Sequence, residues 1–461
     1  MNIVIVGGGL VGTSLAEKLS REGHDVSLVE RDAGRALEFG EILDVRVVEG
    51  NGATVDVLRR AGAADASLVV ATTDSDESNF IAGRIAAGIF KVPRVSVRLR
   101  DPAHEVAFRE LSRGDAVEIS CVNPEAAAVD KISSLFDVPL ALDVMSFLDG
   151  DLVVAGFRIG KTSEFAERPV LDMRLFFAET PSLVAAIQRG DRALVPHGGE
   201  VIRTGDIAYF ALARSDLEGF LQLMGAQHDP THRVMVAGAS RIGLALARRL
   251  EERDVPVTLI EADPARARLA ADGLQRTLVV QGRATSQGLL DEEQIDRVHT
   301  FVAVTDDHEA NLVAGLLVKR LGVHRAFALV DNPALANLIG ETAIDAIVSP
   351  RLLAIGLILQ HIPGARLRSV AALLGDRVEI LEAEAARGST LCGATLAKLD
   401  LPRGVLVAAL RRKGVLRVPR GDDTIEPGDQ VVIVAATEQV ARLAGILAPP
   451  TDREPVRPAG P

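Results

Sequence analysis

Short apolar runs alternate with amphipathic stretches through the first 140 residues. Ile3-Val4-Ile5-Val6 is the first run, too short and too continuously apolar for anything but a strand buried on both faces. Val11, Leu15 and Leu19 then recur at helical spacing, and Gly23 is placed to end that helix. Further strands are predicted at 26–29, 45–48, 68–71, 95–97 and 117–119, before a helix from Pro124 to about Phe136. Strand and helix in strict alternation predict an open parallel sheet with helices on its faces.

From about Asp149 the pattern changes. Residues 152–157, 193–196 and 207–212 are strand-like, with turns at Gly198-Gly199 and Thr204-Gly205-Asp206, which predicts a small α+β module. Gln227-His228-Asp229-Pro230 reads as a linker.

The whole pattern then returns. Gly7 is matched by Gly238, 231 positions on, and Glu30 by Glu261 at the same displacement. Phe301 to Asn311 restates the segment from Leu68 to Asn79, so Thr73, Asp74, Glu77 and Asn79 recur as Thr305, Asp306, Glu309 and Asn311. Pro196, Gly198, Gly205 and Asp206 return as Pro419, Gly421, Gly428 and Asp429, all displaced by 223. The expected domains are 1–145 and 228–375 for the two α/β units, 146–227 and 376–449 for the small modules, and 450–461 for a proline-rich disordered tail.

Each α/β unit carries candidate chemistry at its first turn. Gly7, Gly9 and Gly12, within Gly7-Gly8-Gly9-Leu10-Val11-Gly12, fit G-x-G-x-x-G. The first glycine makes the tight turn, the second admits a pyrophosphate, and the third packs helix on strand. The free N–H groups and dipole of the helix then favour an anion. Glu30, eighteen residues after Gly12, stands where an acid takes the ribose hydroxyls and repels a 2′-phosphate. The fold class is therefore two Rossmann-like parallel-sheet domains, each followed by a small module, and the first crevice is expected to take NAD(H) rather than NADP(H). Arg31 is the one residue that blurs that preference. Asn51, Thr73 and Asp74, at strand ends, either line the crevice or are ordinary loop and cap residues. Arg98 is either a phosphate or adenine-side contact, or half of a surface ion pair.

The second crevice, at Gly238-Ala239-Ser240-Arg241-Ile242-Gly243 with Glu261, Thr305 and Asp306, departs from the first. Ser240 replaces the middle glycine, Arg283 stands where Asn51 was, and Leu329 stands opposite Arg98. The serine hydroxyl can donate to a phosphate. Arg241 and Arg283 add positive charge that favours ATP or ADP alongside NAD(H); the alternative is a decayed pocket kept for packing.

Composition narrows the partners. Asp and Glu outnumber Lys and Arg 63 to 51, a net charge of −12, which argues against nucleic acid and anionic lipid and is compatible with basic cytoplasmic loops of a membrane protein. No apolar stretch reaches the length of about eighteen residues that spans a membrane. No basic segment precedes the first apolar run, which predicts a cytoplasmic protein. Cys121 and Cys392 lack paired spacing and are expected to be buried free thiols.

Two glycine-turn domains, each followed by a module with Pro-x-Gly and Gly-Asp turns, resemble the tandem RCK (KTN) arrangement of the TrkA family of Trk potassium-uptake regulatory subunits. The run at 62–66 and Thr73-Asp74-Ser75-Asp76-Glu77-Ser78-Asn79 are similar to that family's segments. The resemblance implies a non-catalytic protein, peripheral on the inner face of the cell membrane. It further implies a homotetrameric ring that gates a potassium-translocating integral membrane subunit of the TrkH/TrkG type in response to nucleotides. Carried over by position, the cofactor residues are Gly7 to Val11, Glu30, Thr73, Asp74 and Arg98, with Gly238 to Ile242 and Glu261 in the second crevice. Two other readings compete. A regulator of a K+/H+ antiporter differs only in its membrane partner. An NAD-dependent oxidoreductase needs a proton-transfer group, and the sole tyrosine, Tyr209, is not followed at four residues by lysine.

Overall fold

The computed structural model describes residues 1–190, 192–225, 233–331, 344–361, 367–373 and 377–447. The linker read at 227–230 and the tail at 450–461 lie outside the described residues. The chain divides into two compact units, one holding both parallel sheets and the other two five-stranded antiparallel sheets and a two-stranded one.

In the first unit, β1 (Asn2–Val6), β2 (Asp25–Glu30), β3 (Arg46–Glu49), β4 (Leu68–Ala71), β5 (Arg94–Arg98) and β6 (Glu118–Val122) form a parallel sheet in the order β3-β2-β1-β4-β5-β6. The order reverses at β1, so a crevice opens at the carboxyl ends beside the first glycine turn. Helix Leu10–Arg21 buries Val11, Leu15 and Leu19 against this sheet, and Gly23, at φ +82°, follows its end as the periodicity predicts.

The small strands of the first repeat are β7 (Ala141–Phe147), β8 (Leu152–Arg158), β9 (Arg168–Pro169), β10 (Ser182–Arg189), β11 (Arg192–Leu194), β12 (Val201–Ile202) and β13 (Ile207–Ala213). The second parallel sheet follows, with β14 (Val234–Ala237), β15 (Val257–Glu261), β16 (Leu278–Gln281), β17 (Thr300–Ala303), β18 (Arg325–Leu329) and β19 (Ala346–Val348) in the same order as the first. The last strands are β20 (Leu367–Leu373), β21 (Val378–Glu384), β22 (Val405–Arg412), β23 (Val415–Arg417) and β24 (Gln430–Ala436).

The two repeats exchange helices. Helix Pro350–Leu359 belongs to the second repeat by sequence, yet its Ala354, Ile355 and Ile358 share one core with Ile3, Ile5, Val11, Leu15, Leu19 and Val70 of the first. Conversely, at the start of helix Pro124–Asp137, Glu125 Oε2 lies 3.8 Å from Arg241 and Asp130 Oδ1 lies 2.6 Å from Arg249 of the second repeat.

In the second unit the antiparallel sheets run β11-β10-β13-β8-β7 and β20-β21-β24-β22-β23. Their inner faces share a core, with Phe147, Val154, Ala186 and Tyr209 against Ile380, Ala408, Val432 and Val434. Arg411 reaches from one sheet to the other, bonding the Leu148 carbonyl and the carboxylates of Asp149 and Asp151. A bulge between Val184 and Ala186 recurs between Val407 and Ala409, so the repeat extends to an irregularity of the ladder.

Three expectations are corrected here. The boundary placed at 145/146 cuts β7, and the one at 375/376 assigns β20 to the wrong domain. Both are edge strands, and edge positions tolerate Asp143, Ser146, Arg368 and Ser369, which break up the apolar run. Strand β10 went unread because its alanines and its bulge dilute the alternation on which recognition depends. Cys121 and Cys392 are free but half-buried rather than buried. Partial burial pushes the Cys121 thiol up to about 11, so it stays protonated at neutral pH.

Candidate functional site

Main-chain geometry at the first turn accounts for each glycine separately. Gly7 sits at φ +105°, and its N–H donates to Val29 O at 2.8 Å. A Cβ on Gly12 would lie 1.9 Å from Gly7 O, so the helix can approach the turn only with glycine there. A Cβ on Gly9 would meet nothing within 4 Å. That open side, next to a helix whose first N–H groups have no side-chain cap, is where an anion fits.

Glu30 closes the turn from the next strand. It is only 8% exposed, its Oε2 accepts from Gly8 N at 3.0 Å and its Oε1 from Asp32 N at 2.9 Å. Each carboxylate oxygen retains a lone pair, so the group can orient the turn and still accept a ribose hydroxyl. Beside it stands Arg35, which composition alone gave no reason to single out. Its Nη1 is 4.0 Å from Glu30 Oε2, its Nη2 donates to Gly8 O at 2.5 Å, and its guanidinium lies 5.3 Å from the Phe39 ring centre. Arg31 is exposed, whereas Arg35 is the arginine beside the Glu30 carboxylate.

The end of β4 is organised by Asn79, which is fully buried. Its Oδ1 accepts from Thr73 N and Thr73 Oγ1, both at 2.8 Å, while its Nδ2 donates to Thr73 O and to Arg98 O at the end of β5. Asp74 is exposed at the crevice. The side chain of Asn51 accepts from Ala53 N at 3.0 Å, so it closes its own turn. Asp76 is buried and accepts from the main-chain N–H of Arg100 and Asp101 and from Arg100 Nε. Burial opposes its ionisation, but those donors outweigh it and hold the carboxyl below the usual range.

Arg98 is half-buried at the end of β5, and its Nε is buried without a hydrogen-bond partner. Desolvation first, and then the neighbouring Arg100, disfavour its charge, while Glu125, Asp76 and Asp331 favour it. Among the described residues no carboxylate lies within ion-pair distance of it, although Glu125, Asp76 and Asp331 are close enough to act on its charge.

The second crevice repeats the scaffold and changes the surface. Gly238 has φ +107°, a Cβ on Gly243 would lie 2.0 Å from Gly238 O, and Glu261 accepts from Ala239 N and Asp263 N. Asn311 ties Thr305 to Leu329 O as Asn79 ties Thr73 to Arg98 O. The Ser240 hydroxyl, however, donates to Val304 O at 2.6 Å and accepts from Gly243 N at 3.1 Å. Its one hydrogen is engaged inside the protein, which corrects the expectation that it serves a phosphate. Arg241 faces Glu125 of the first repeat, Arg283 is exposed, and Arg266 is paired with Asp306 at 2.9 Å. The buried Asp76–Arg100 pair is replaced by His308 and Asp331, the latter donating its N–H to His308 Nδ1 at 3.2 Å.

Comparison with known proteins accords with this architecture. The TrkA-N domain family matches residues 3–118 and again 234–350, and the TrkA-C domain family matches 380–448. The chain is 33% identical to the Trk system potassium uptake protein TrkA of Azorhizobium caulinodans over 96% of its own length and 98% of that protein's. It is 32% identical to the protein of the same name from Halomonas elongata, covering 94% and 95%. Among solved structures, the GsuK RCK domain shares the fold at a TM-score of 0.62 and 19% identity, over 97% of this chain and 94% of that one. The GsuK channel bound to NAD does so at 0.62 and 18%, over 97% and 78%. The chain belongs to the TrkA family of Trk system potassium uptake proteins.

Proposed function

We propose that this chain is the nucleotide-binding regulatory subunit of a Trk-type potassium-uptake system. It binds NAD(H) in the first crevice and gates a potassium-translocating integral membrane partner from the cytoplasmic face. The observation that carries the nucleotide reading is the arrangement at the first turn. The open side of Gly9, the uncapped helix N–H groups and the buried Glu30 carboxylate present a pyrophosphate site and a ribose acceptor in the order a dinucleotide needs. Gly7, Gly8, Leu10, Val11, Thr73, Asp74 and Arg98 complete that site in this reading. Kinship with the TrkA proteins of Azorhizobium and Halomonas supports potassium uptake as the process regulated.

Regulation rather than turnover is favoured by the fate of the sole tyrosine. Tyr209 is 4% exposed in the core between the antiparallel sheets, where burial pushes its pKa well above the ordinary value, and it cannot serve a substrate. Among the described residues no helix is long and apolar enough to cross a membrane, so in this reading the transport path belongs to the partner. Nucleotide gates that partner by binding two conformations of the subunit, assembled as a homotetrameric ring, unequally.

The test is potassium flux through the chain reconstituted with its membrane subunit, measured with NADH, NAD and ATP, beside calorimetric titration of the chain alone. Nucleotide binding with a flux that responds to it is the expected result. Flux indifferent to every nucleotide, or steady substrate-dependent oxidation of NADH, would overturn the proposal.

A further inference from the structure

Among the described residues of the first unit, two guanidinium groups lack a hydrogen-bond partner at a buried Nε, those of Arg98 and Arg351. They come from different repeats. Arg98 ends β5 of the first sheet, and Arg351 stands in the first turn of helix Pro350–Leu359, which lies on that same sheet. Three observations bring them to one place.

The first is the direction of the helix. His361, just past its C-terminal end, lies 3.3 Å from the hydroxyl of Ser120 in the middle of β6. Ten helical residues span about 15 Å, so a helix running antiparallel to β6 carries Arg351 past Val122 to the carboxyl edge, where the crevice is. The second is electrostatic. Asp331 accepts from Arg351 N at 3.1 Å and from Ser349 Oγ at 2.7 Å, and the same carboxylate acts on the charge of Arg98. The third is the internal symmetry of the repeats. Glu125, at the start of helix Pro124–Asp137, faces Arg241 at the start of the second glycine-turn helix. Its counterpart Arg351 must face Leu10, the counterpart of Arg241, at the start of the first glycine-turn helix.

We propose that Arg351 of the second repeat joins Arg98 of the first as an anion clamp over the first glycine turn, receiving the phosphate groups of an adenine nucleotide. The exchange of glutamate for arginine between equivalent positions gives the crevices opposite character. The first has an uncapped helix N-terminus and two guanidinium groups whose Nε atoms lack a partner among the described residues. The second has its N-terminus capped by Ser240 and a carboxylate, Glu125, in the corresponding place. The first crevice therefore receives a guanidinium from the other repeat where the second receives a carboxylate. Each Nε lacks an acceptor among the described residues, and a bridging phosphate supplies one to each.

This inference rests on the first crevice being a nucleotide site, and the experiment separates the two. The full-length chain and its Arg351→Ala and Arg351→Lys variants are titrated calorimetrically with NADH, ADP and adenosine, and unliganded melting temperatures are recorded. Arg351→Ala is expected to weaken ADP and NADH by about tenfold or more, leave adenosine unchanged and lessen the salt dependence of ADP binding. Arg351→Lys is expected to recover part of the loss. If Arg351→Ala does not fold, Arg351→Gln carries the same expectations. Wild-type affinity for ADP and NADH in the variant, or an equal weakening of adenosine, would overturn the clamp while leaving the nucleotide site standing. Failure of the wild-type chain to bind any of the three would remove the nucleotide site and the clamp with it.

Discussion

Arg266 and Asp306 form an ion pair at 2.9 Å that crosses the second glycine turn. Arg266 follows β15 and Asp306 follows β17, and these strands flank β14, whose carboxyl end carries the turn. A nucleotide entering there must displace the pair. The equivalent arginine of the first crevice, Arg35, bonds Gly8 O, which leaves Asp74 open.

Asp306→Ala should therefore tighten ADP and ATP binding at the second crevice. Asp306 is exposed and Arg266 half-buried, so breaking the pair costs about 0.5 to 1 kcal/mol, roughly two- to fivefold in affinity. Titration in a Gly9→Val background, which closes the first crevice, isolates the effect. Weaker binding would mean that Asp306 contacts the nucleotide instead.

The middle and last glycines of the first motif should respond oppositely. Gly9→Val meets open space at ordinary helix-cap angles, so the melting temperature should hold while NADH binding disappears. Gly12→Ala forces a methyl group to within 1.9 Å of Gly7 O and should destabilise the first unit by about 2 to 3 kcal/mol. Thermal melts beside NADH titrations separate the two, and a stable Gly12→Ala protein would contradict the packing argument.

Glu30→Ala should weaken NADH by about 1 to 3 kcal/mol, the range for a hydrogen bond to a charged group. It should also relax the discrimination against NADPH, because Arg35 loses the carboxylate 4.0 Å away and becomes free to meet a 2′-phosphate. The ratio of the two affinities is the measurement. An unchanged ratio would mean that Glu30 serves only to hold the turn.

Asp76→Asn should lower stability by about 2 to 3 kcal/mol, since the amide cannot replace a buried carboxylate that accepts from two main-chain N–H groups and a guanidinium. The folded-state pKa is depressed, so on acidification the unfolded chain takes up this proton first. The stabilisation is thus complete above the ordinary carboxylate pKa of about 3.9. It is lost as pH falls from there through the lower folded value. Unfolding midpoints followed from pH 7 to pH 3 should fall less steeply in Asp76→Asn than in the wild type.

Much of the architecture was legible because its causes are local. Gly12 is dictated by a main-chain contact with Gly7 O, Gly7 by its own positive φ, and Glu30 by the end of the next strand, so the first crevice could be written down from spacing. Asn79 and Asn311 were visible as recurring polar residues, but their bridging of two strand ends depends on a bond to a residue nineteen or eighteen positions on. Arg35 was hidden among charged residues of an exposed helix face. Arg351 was legible least of all, since nothing in its own repeat suggests that it lies over the sheet of the other. Sequence spacing reports constraints along the chain, and the helix exchange places these partners more than two hundred residues apart.

That exchange also sets a timetable for biosynthesis. The first parallel sheet is complete at Val122, but the helix that completes the cover of one of its faces, beside Leu10–Arg21, begins only at Pro350. At about 5 to 20 residues per second, the ribosome leaves that part of the apolar face bare for roughly 10 to 50 seconds. A nascent chain released early, at the end of its first half, would carry the uncovered face into the cytosol. The cover most closely matched in shape would be the helix Pro124–Asp137 of a second such fragment, so a truncated product should pair with its own kind.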